Sequence, residues 1–226
     1  MNIVLLTQPY KPYSPEEYLR KRGHHVIKHT GFPNDVLKEL RKADLGISYS
    51  YKHILKPEHF NAPKFGTINA HTGLSPLSRG AAPNVWNIIN KEPAGVMIHW
   101  IDEGIDTGNI LTRIGCPVYL HDTGETLYIR LLQVCRQLFE GYWPELEQSL
   151  IEGKKPAGKE QNQKDIPAHK TRDLYTLDNL EGRFGSVARD VVDTLRARTF
   201  DGHESAWLLD DQGRKVYIRV SLTLHD

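Results

Sequence analysis

The sequence predicts an α/β fold: a mostly parallel sheet flanked by helices, followed by a small C-terminal helix plus β-hairpin subdomain. Three observations predict it. Asn2 to Thr7 is an unbroken β-favouring run, the pattern of a strand buried on both faces. Strand and helix patterns then alternate at short spacing through the first half of the chain. Beyond a polar stretch, an amphipathic helix pattern precedes two apolar runs that flank Asp210-Asp211-Gln212-Gly213, a hairpin signal.

Each element has a local reason. Ser14-Pro15-Glu16-Glu17 reads as a capping box with proline at the first helical position, opening a helix that Gly23 should end. His25 to Lys28 alternates as a second strand. Val36, Leu37 and Leu40 mark an amphipathic helix begun near Asn34. Leu45 to Ser48, Phe65 to Ala70 and Ala94 to Ile101 read as further strands, with a helix over Pro83 to Asn90. Thr123 begins a long helix carried by Leu127, Leu131, Val134, Leu138, Leu146 and Leu150; Pro144 should kink or break it and Gly153 should end it. Lys154 to Asp173 is polar and reads as an irregular connection, which puts the expected domain boundary between 1–153 and 154–226. Beyond it, Leu180, Phe184, Val187, Val191 and Leu195 predict one more helix, and Ser205 to Leu209 and Val216 to Leu224 the two hairpin strands.

Composition narrows the function. With 226 residues, 39% hydrophobic and 25% charged, the chain has the makeup of a soluble globular protein. Twenty-nine basic against 28 acidic residues give a net charge of +1, without the basic excess of a nucleic-acid binder. No apolar run approaches the ~18 residues of a membrane span, and the opening residues lack a basic n-region, so a cytoplasmic protein is expected, with neither nucleic acid nor membrane as partner. Cys116 and Cys135 stand apart without metal-ligand spacing and read as core thiols; His25 and His29 fall on a strand and read as solvent-facing, so no metal is expected. Lys154, Lys155, Lys159 and Lys164 read as a solvated linker.

The chemistry gathers at one strand end. Strand Phe65 to Ala70 delivers Asn69 and His71 on one side at its C-terminal end, where ligand crevices of open α/β sheets lie. Asp102-Glu103-Gly104-Ile105-Asp106-Thr107-Gly108 follows another strand with three carboxylates. An amide donor, an imidazole and a carboxylate suit acyl-type transfer: a donor for a developing oxyanion, a proton relay near neutral pH, and a group that orients the imidazole. The same residues also read as a strand-end turn former, a locally bonded histidine and an Asx turn before Gly108.

The run Asn69-Ala70-His71-Thr72-Gly73-Leu74-Ser75-Pro76-Leu77-Ser78-Arg79-Gly80-Ala81-Ala82-Pro83 with Trp86, then Gly95-Val96-Met97-Ile98-His99 and Asp102 to Gly108, resembles the 10-formyltetrahydrofolate-dependent formyltransferases. The pattern Asn-x-His, a Leu-Pro-x-x-Arg-Gly turn and Asp-x-Gly is met in order over about Asn2 to Glu152, with Ser75 intervening in the turn and Thr72 where the family usually carries proline. The resemblance implies a Rossmann-like formyltransferase fold and Asn69, His71 and Asp106 as the catalytic trio. It implies attack of a substrate amine on the formyl carbon, with Asn69 and protonated His71 stabilising the tetrahedral oxyanion, Asp106 positioning His71 or relaying protons, and tetrahydrofolate leaving. His99 matches a family histidine and reads as support for the loop. Tyr49 to Pro57 resembles the segment that lines the pterin pocket; Tyr51 and Ile54, with Ile101 and Asp102, are the implied folate contacts. Gln8, Tyr10 and Lys11 read either as receivers of substrate phosphates or as a Pro-rich surface loop. Arg79 reads either as a phosphate clamp or as a brace for the Gly80 turn.

Within the family, methionyl-tRNA formyltransferases carry a larger C-terminal RNA-binding barrel, and glycinamide ribonucleotide formyltransferases a glycine-rich loop where this chain has Gln8-Pro9-Tyr10-Lys11-Pro12. Ser48 to Ile54, the Glu152-Gly153-Lys154 connection with Gln161, and the helix-plus-hairpin tail look most like the nucleotide-sugar N-formyltransferases. The resemblance then implies a dTDP- or GDP-linked amino-dideoxy sugar as partner, a 4-amino sugar such as dTDP-4-amino-4,6-dideoxyglucose ahead of a 3-amino one, and O-antigen or surface-polysaccharide synthesis. It also implies a homodimer formed through 154–226. The other readings are glycinamide ribonucleotide formylation and a non-catalytic folate-binding module.

Overall fold

In the computed structural model, residues 1–9, 12–162, 166–199 and 204–223 are described. They form two compact units, one of residues 1–118 and 122–169, the other of 119–121 and 170–226.

The first unit is built on six strands, β1 (Asn2–Thr7), β2 (His25–His29), β3 (Leu45–Tyr49), β4 (Thr67–His71), β5 (Ala94–Trp100) and β6 (Ile110–Cys116). Their order is β2-β1-β3-β4-β5-β6. The first four run parallel, β5 is antiparallel to β4, and β6 is antiparallel to β5. The alternation of a strand explains the two layers around this sheet. Ile3 and Leu5 of β1 join a core with Leu45, Ile47, Ile68, Val96 and Ile98, covered by helix residues Leu127, Leu131, Cys135, Phe139, Trp143, Leu146 and Leu150. Val4 and Leu6 point the other way, into a second core with Val36, Leu40, Ala43, Leu55 and Phe60. Cys116 and Cys135 are buried and are not joined in a disulfide.

The helices are α1 (Glu16–Lys21), α2 (Leu37–Leu40, after a 3-10 turn Pro33–Val36), α3 (Pro57–Phe60), α4 (Pro83–Ile89) and α5 (Gly124–Ile151). Two start or run differently from the sequence reading. The capping box at Ser14 does not form: Pro15 takes the cap position, the Ser14 hydroxyl accepts only from the Glu16 N–H at 3.4 Å, and Glu17 pairs instead with Lys21 at 2.7 Å. Pro144 does not break α5, which runs on for 28 residues. A proline there removes the N–H that would bond the Glu140 carbonyl, and the Tyr18 hydroxyl donates to that carbonyl at 3.0 Å instead. No helix among the described residues is long and apolar enough to cross a membrane.

The first unit extends to His169 rather than ending at Gly153. The cause is hydrogen bonding. The Trp100 indole N–H donates to the Pro156 carbonyl at 2.8 Å, and Lys159 exchanges two backbone bonds with Ile110 at 2.8 and 2.7 Å. The His169 N–H meets the Arg79 carbonyl at 3.0 Å, while its ring stacks on Trp86 at 4.2 Å. The polar stretch is therefore a strap on the first unit.

In the second unit a 3-10 segment (Thr171–Leu177) leads into α6 (Leu180–Phe184) and α7 (Ser186–Arg198), and the hairpin is β7 (Ala206–Leu209) with β8 (Lys215–Ile218). The single helix expected from Leu180 is two, because Gly185 lies at φ 61°, a left-handed conformation that ends a helix. The second hairpin strand stops at Ile218, short of the expected Leu224, which lies outside the described residues.

Candidate active site

Strand register builds the site. Asn69 pairs with Ser48 of β3 on one side and His99 of β5 on the other, which sets the Asn69 and His99 side chains beside each other. His71, two residues on, shares the face of Asn69. The loop after β5 then returns Asp106 to this strand end. Asn69 Nδ2 donates to Asp106 Oδ1 at 3.1 Å and approaches His99 Nε2 at 3.2 Å. His71 Nε2 lies 3.6 Å from Asp106 Oδ2, and His99 Nε2 lies 3.4 Å from Asp106 Oδ1. The three sequence-identified residues thus form one cluster with His99, which reaches both Asn69 and Asp106 rather than only bracing the loop.

Proton positions follow from the partners. His71 Nε2 faces two acceptors, the Ser78 carbonyl at 3.0 Å and the Asp106 carboxylate, so Nε2 carries a hydrogen and Nδ1 is the nitrogen open to take one. His99 Nδ1 donates to the Trp100 carbonyl at 2.8 Å, which turns its Nε2 toward Asn69 and Asp106. Burial alone would raise the pKa of Asp106. The nearby His71 and His99 and the Gly80 N–H, which donates to Oδ2 at 2.9 Å, outweigh it and hold the carboxyl well below the usual carboxylate range. Asp106 itself sits at φ 53°, a left-handed conformation that asparagine and aspartate tolerate best among residues with a Cβ.

The loop after β4 is shaped around this cluster. A Cβ on Gly73 would collide with the Ser78 carbonyl oxygen and the His71 ring. Gly80, at φ 86°, presents the N–H that holds Asp106. Arg79 is 1% exposed; its guanidinium donates to the Ile166 carbonyl, which is the bracing arrangement, and it does not reach solvent as a phosphate clamp would need.

Of the remaining candidates, Gln8, Tyr51 and Ile54 follow the C-terminal ends of β1 and β3, whereas Ile101 and Asp102 follow antiparallel β5, where the Ile101 N–H donates to the carbonyl of Thr67 at the start of β4 at 2.8 Å. Tyr51 and Ile101 pack against the core of Val4, Leu6 and Leu55, and Ile54 is 78% exposed. The Tyr51 hydroxyl donates to the Gly31 carbonyl at 2.5 Å, and burial pushes its pKa up to about 12. Asp102 Oδ1 accepts from the Gly104 N–H at 3.2 Å and the Thr107 hydroxyl at 2.5 Å, so this carboxylate folds its own loop. Gln8 donates to the Ser50 carbonyl at 2.9 Å. Tyr10 and Lys11 lie outside the described residues. Sequence reasoning gave no role to Gln161, which is 6% exposed and donates to the carbonyls of Asp106 at 3.1 Å and Gly108 at 2.5 Å. The sequence marks it only through the resemblance of its connection to the nucleotide-sugar N-formyltransferases, and its polar neighbourhood otherwise reads as linker.

Known proteins bear directly on this arrangement. The family model described as formyl transferase matches residues 8–140, and one described as the N-formyltransferase dimerization C-terminal domain matches residues 183–224. The chain is 34% identical over 157 residues to the dTDP-4-amino-4,6-dideoxyglucose formyltransferase of Mycobacterium tuberculosis (strain ATCC 25618 / H37Rv), a match over 69% of this chain and 64% of that relative's length. It is 32% identical to the formyltransferase PseJ from Anoxybacillus kamchatkensis, crystallised with UDP-4,6-dideoxy-4-formamido-L-AltNAc and tetrahydrofolate; the match has a TM-score of 0.67 and covers 79% of this chain and 93% of that one. A sugar N-formyltransferase from Shewanella sp FDAARGOS_354, 24% identical, shares the fold over 100% of this chain and 99% of its own, with a TM-score of 0.69. With the first family model spanning more than half of its length, the chain belongs to the formyl transferase family.

Proposed function

We propose that the protein is a nucleotide-sugar N-formyltransferase that moves the formyl group of 10-formyltetrahydrofolate to the amino group of a dTDP- or GDP-linked amino-dideoxy sugar, with a 4-amino sugar favoured. The observation that carries this reading is the Asn69, His71 and Asp106 cluster at the C-terminal edge of the sheet, in a chain of the formyl transferase family. When bound, 10-formyltetrahydrofolate supplies the formyl carbon. The chemistry of the residues suits such a group: Tyr51 and Ile101 are partly buried apolar side chains and Ile54 an exposed one, suited to a flat ring, and Asn69 Nδ2 is a donor suited to a carbonyl oxygen.

In the transfer a bond forms between the amine nitrogen and the formyl carbon, and the bond from that carbon to the leaving nitrogen breaks. The amine loses a proton and the leaving nitrogen gains one. His71 Nδ1 is the atom suited to hold that proton between the two events, because Nε2 is occupied by Ser78. Ionised Asp106 stabilises the imidazolium so formed. Asn69 Nδ2 has two hydrogens, one toward Asp106 and one toward His99; a carbonyl oxygen entering the site competes with His99 for the second and receives it as its charge develops.

The names of two relatives support the 4-position: one is a dTDP-4-amino-4,6-dideoxyglucose formyltransferase, the other holds a UDP-linked 4-formamido sugar. Their nucleotides differ, so they support the amine position more than the base. The exposed apolar side chains of α6, α7 and β7, within the span matched by the dimerization model, support a homodimer. We further infer a cytoplasmic enzyme serving surface-polysaccharide synthesis.

The test offers 10-formyltetrahydrofolate with dTDP-4-amino, dTDP-3-amino and GDP-4-amino sugars and glycinamide ribonucleotide, and reads products by mass spectrometry. A gain of one CO unit on a 4-amino sugar, lost in His71→Ala, is expected. Formylation of glycinamide ribonucleotide alone would overturn the sugar assignment, and tetrahydrofolate binding without turnover of any amine would leave a non-catalytic folate-binding module.

A further inference from the structure

We propose that Gln161, on the strap after α5, is a positioning residue that fixes Asp106 for the transfer; the inference rests on the function proposed above. Asp106 is held in a left-handed conformation inside a loop whose other residues, the buried Gly108 apart, are exposed or half-buried. Such a conformation is disfavoured for a residue with a Cβ and persists only where the surroundings impose it. Gln161 imposes it from outside the loop. Its single amide nitrogen donates to the carbonyl of Asp106 and to that of Gly108, so the carbonyls of the two residues flanking Thr107 converge on one donor.

The oxygen of the same amide completes the connection. Gln161 Oε1 accepts from the Ser75 hydroxyl. Ser75 begins the turn that carries both the Ser78 carbonyl, which fixes His71, and the Gly80 N–H, which fixes Asp106. Gln161 therefore ties the loop holding the imidazole to the loop holding the carboxylate, and every amide atom capable of a bond is used at a buried site. A solvated linker side chain would have no such requirement. Gln161 is itself placed by the strap, where Lys159 pairs with Ile110 through two backbone bonds. It touches no reacting group, so its influence runs through Asp106 and the turn at Ser75.

The variants Gln161→Met, which keeps the reach without the bonds, and Ser75→Ala, which frees only the Gln161 oxygen, are compared with Asp106→Asn in the full chain. Turnover is measured on 10-formyltetrahydrofolate with dTDP-4-amino-4,6-dideoxyglucose, tetrahydrofolate affinity by fluorescence, and the imidazole resonances of His71 and His99 by NMR. A misplacement of the order of 1 Å at a catalytic group lowers turnover about 100-fold. Gln161→Met should fall by about that much in kcat, with tetrahydrofolate affinity within about 2-fold of wild type, and Ser75→Ala by less. Both should move the His71 and His99 resonances in the direction that Asp106→Asn moves them. If Gln161→Met unfolds, Ser75→Ala decides. Wild-type turnover and unmoved imidazole resonances in a folded variant would overturn the proposal. If Asp106→Asn also turns over normally, the proposed function fails instead, and the imidazole resonances still report whether Gln161 positions Asp106.

Discussion

The two units treat the same residue types in opposite ways. In the first, the apolar stripe of α5 is sealed against the sheet, and Leu131 is 0% exposed. In the second, α7 and the hairpin leave Val187 at 60% and Trp207 at 45% exposure, and Phe184, Val191, Leu208 and Leu209 are exposed with them. An apolar surface of that kind marks an interaction face. Periodicity alone gives both helices the same reading, since a moment says that a face seeks cover and not what covers it. The difference teaches that the first unit completes its own core, while the second leaves apolar side chains uncovered, as the proposed homodimer requires.

The largest effects should come from the cluster. Asn69→Ala and Asp106→Asn are expected to lower turnover by about 10²–10³ or more in a chain that stays folded under assay conditions, with Asp106→Asn melting somewhat below wild type. Measured rates and thermal unfolding of the purified variants check this; full activity in a destabilised protein would make the residues structural. Gly73→Ala should act on both, because the new methyl displaces either the His71 ring or the Ser78 carbonyl. A destabilisation of about 1–3 kcal/mol in urea unfolding is expected, with turnover lost.

The contrast between units is sharpened by paired apolar substitutions. Leu131→Ala removes atoms from a sealed core and should destabilise the chain by about 2–5 kcal/mol. Val191→Asp adds charge to an open face and should leave the unfolding midpoint of the first unit unchanged, while sedimentation shows a dimer giving way to monomer. Unfolding by Val191→Asp, or a wild-type chain that is monomeric, would break the comparison.

Much of the first unit was legible because its physics is local. The run from Asn2 to Thr7 is apolar on both faces because the strand is covered on both, and the Asn69 and His71 spacing puts two polar side chains on one side of a strand end. β6 was not legible. It is an edge strand whose outer residues, Arg113 and Ile114 among them, are exposed, so it lacks the uniform apolar run of the buried strands. The fate of Pro144 was hidden for a related reason: the hydroxyl that satisfies the freed Glu140 carbonyl comes from Tyr18, on α1. Gln161 and Arg79 show the limit most clearly. Nothing in the local pattern shows that either is buried, and the contacts that bury them, to Ile166 for Arg79 and to Ser75, Asp106 and Gly108 for Gln161, are tertiary.

The smallest expected effect is on acid stability. Asp106 is held below its unfolded value of ~3.9, so its stabilising contribution is present above about pH 4 and lost as pH falls through its lower folded value. Between about pH 2 and 4 the unfolded chain binds the extra proton, and stability rises with pH there. Urea unfolding of wild type should steepen in that window relative to Asp106→Asn, with the two slopes alike near neutrality.

The most direct test of the central claim is a single-turnover transfer from 10-formyltetrahydrofolate carrying a labelled formyl group to dTDP-4-amino-4,6-dideoxyglucose, run side by side with wild type and Asp106→Asn. The expected result is labelled formamide on the sugar, slowed by about 10³ in a variant that is folded at the assay temperature. Equal rates in the two proteins, or no labelled sugar while tetrahydrofolate binds, would contradict it.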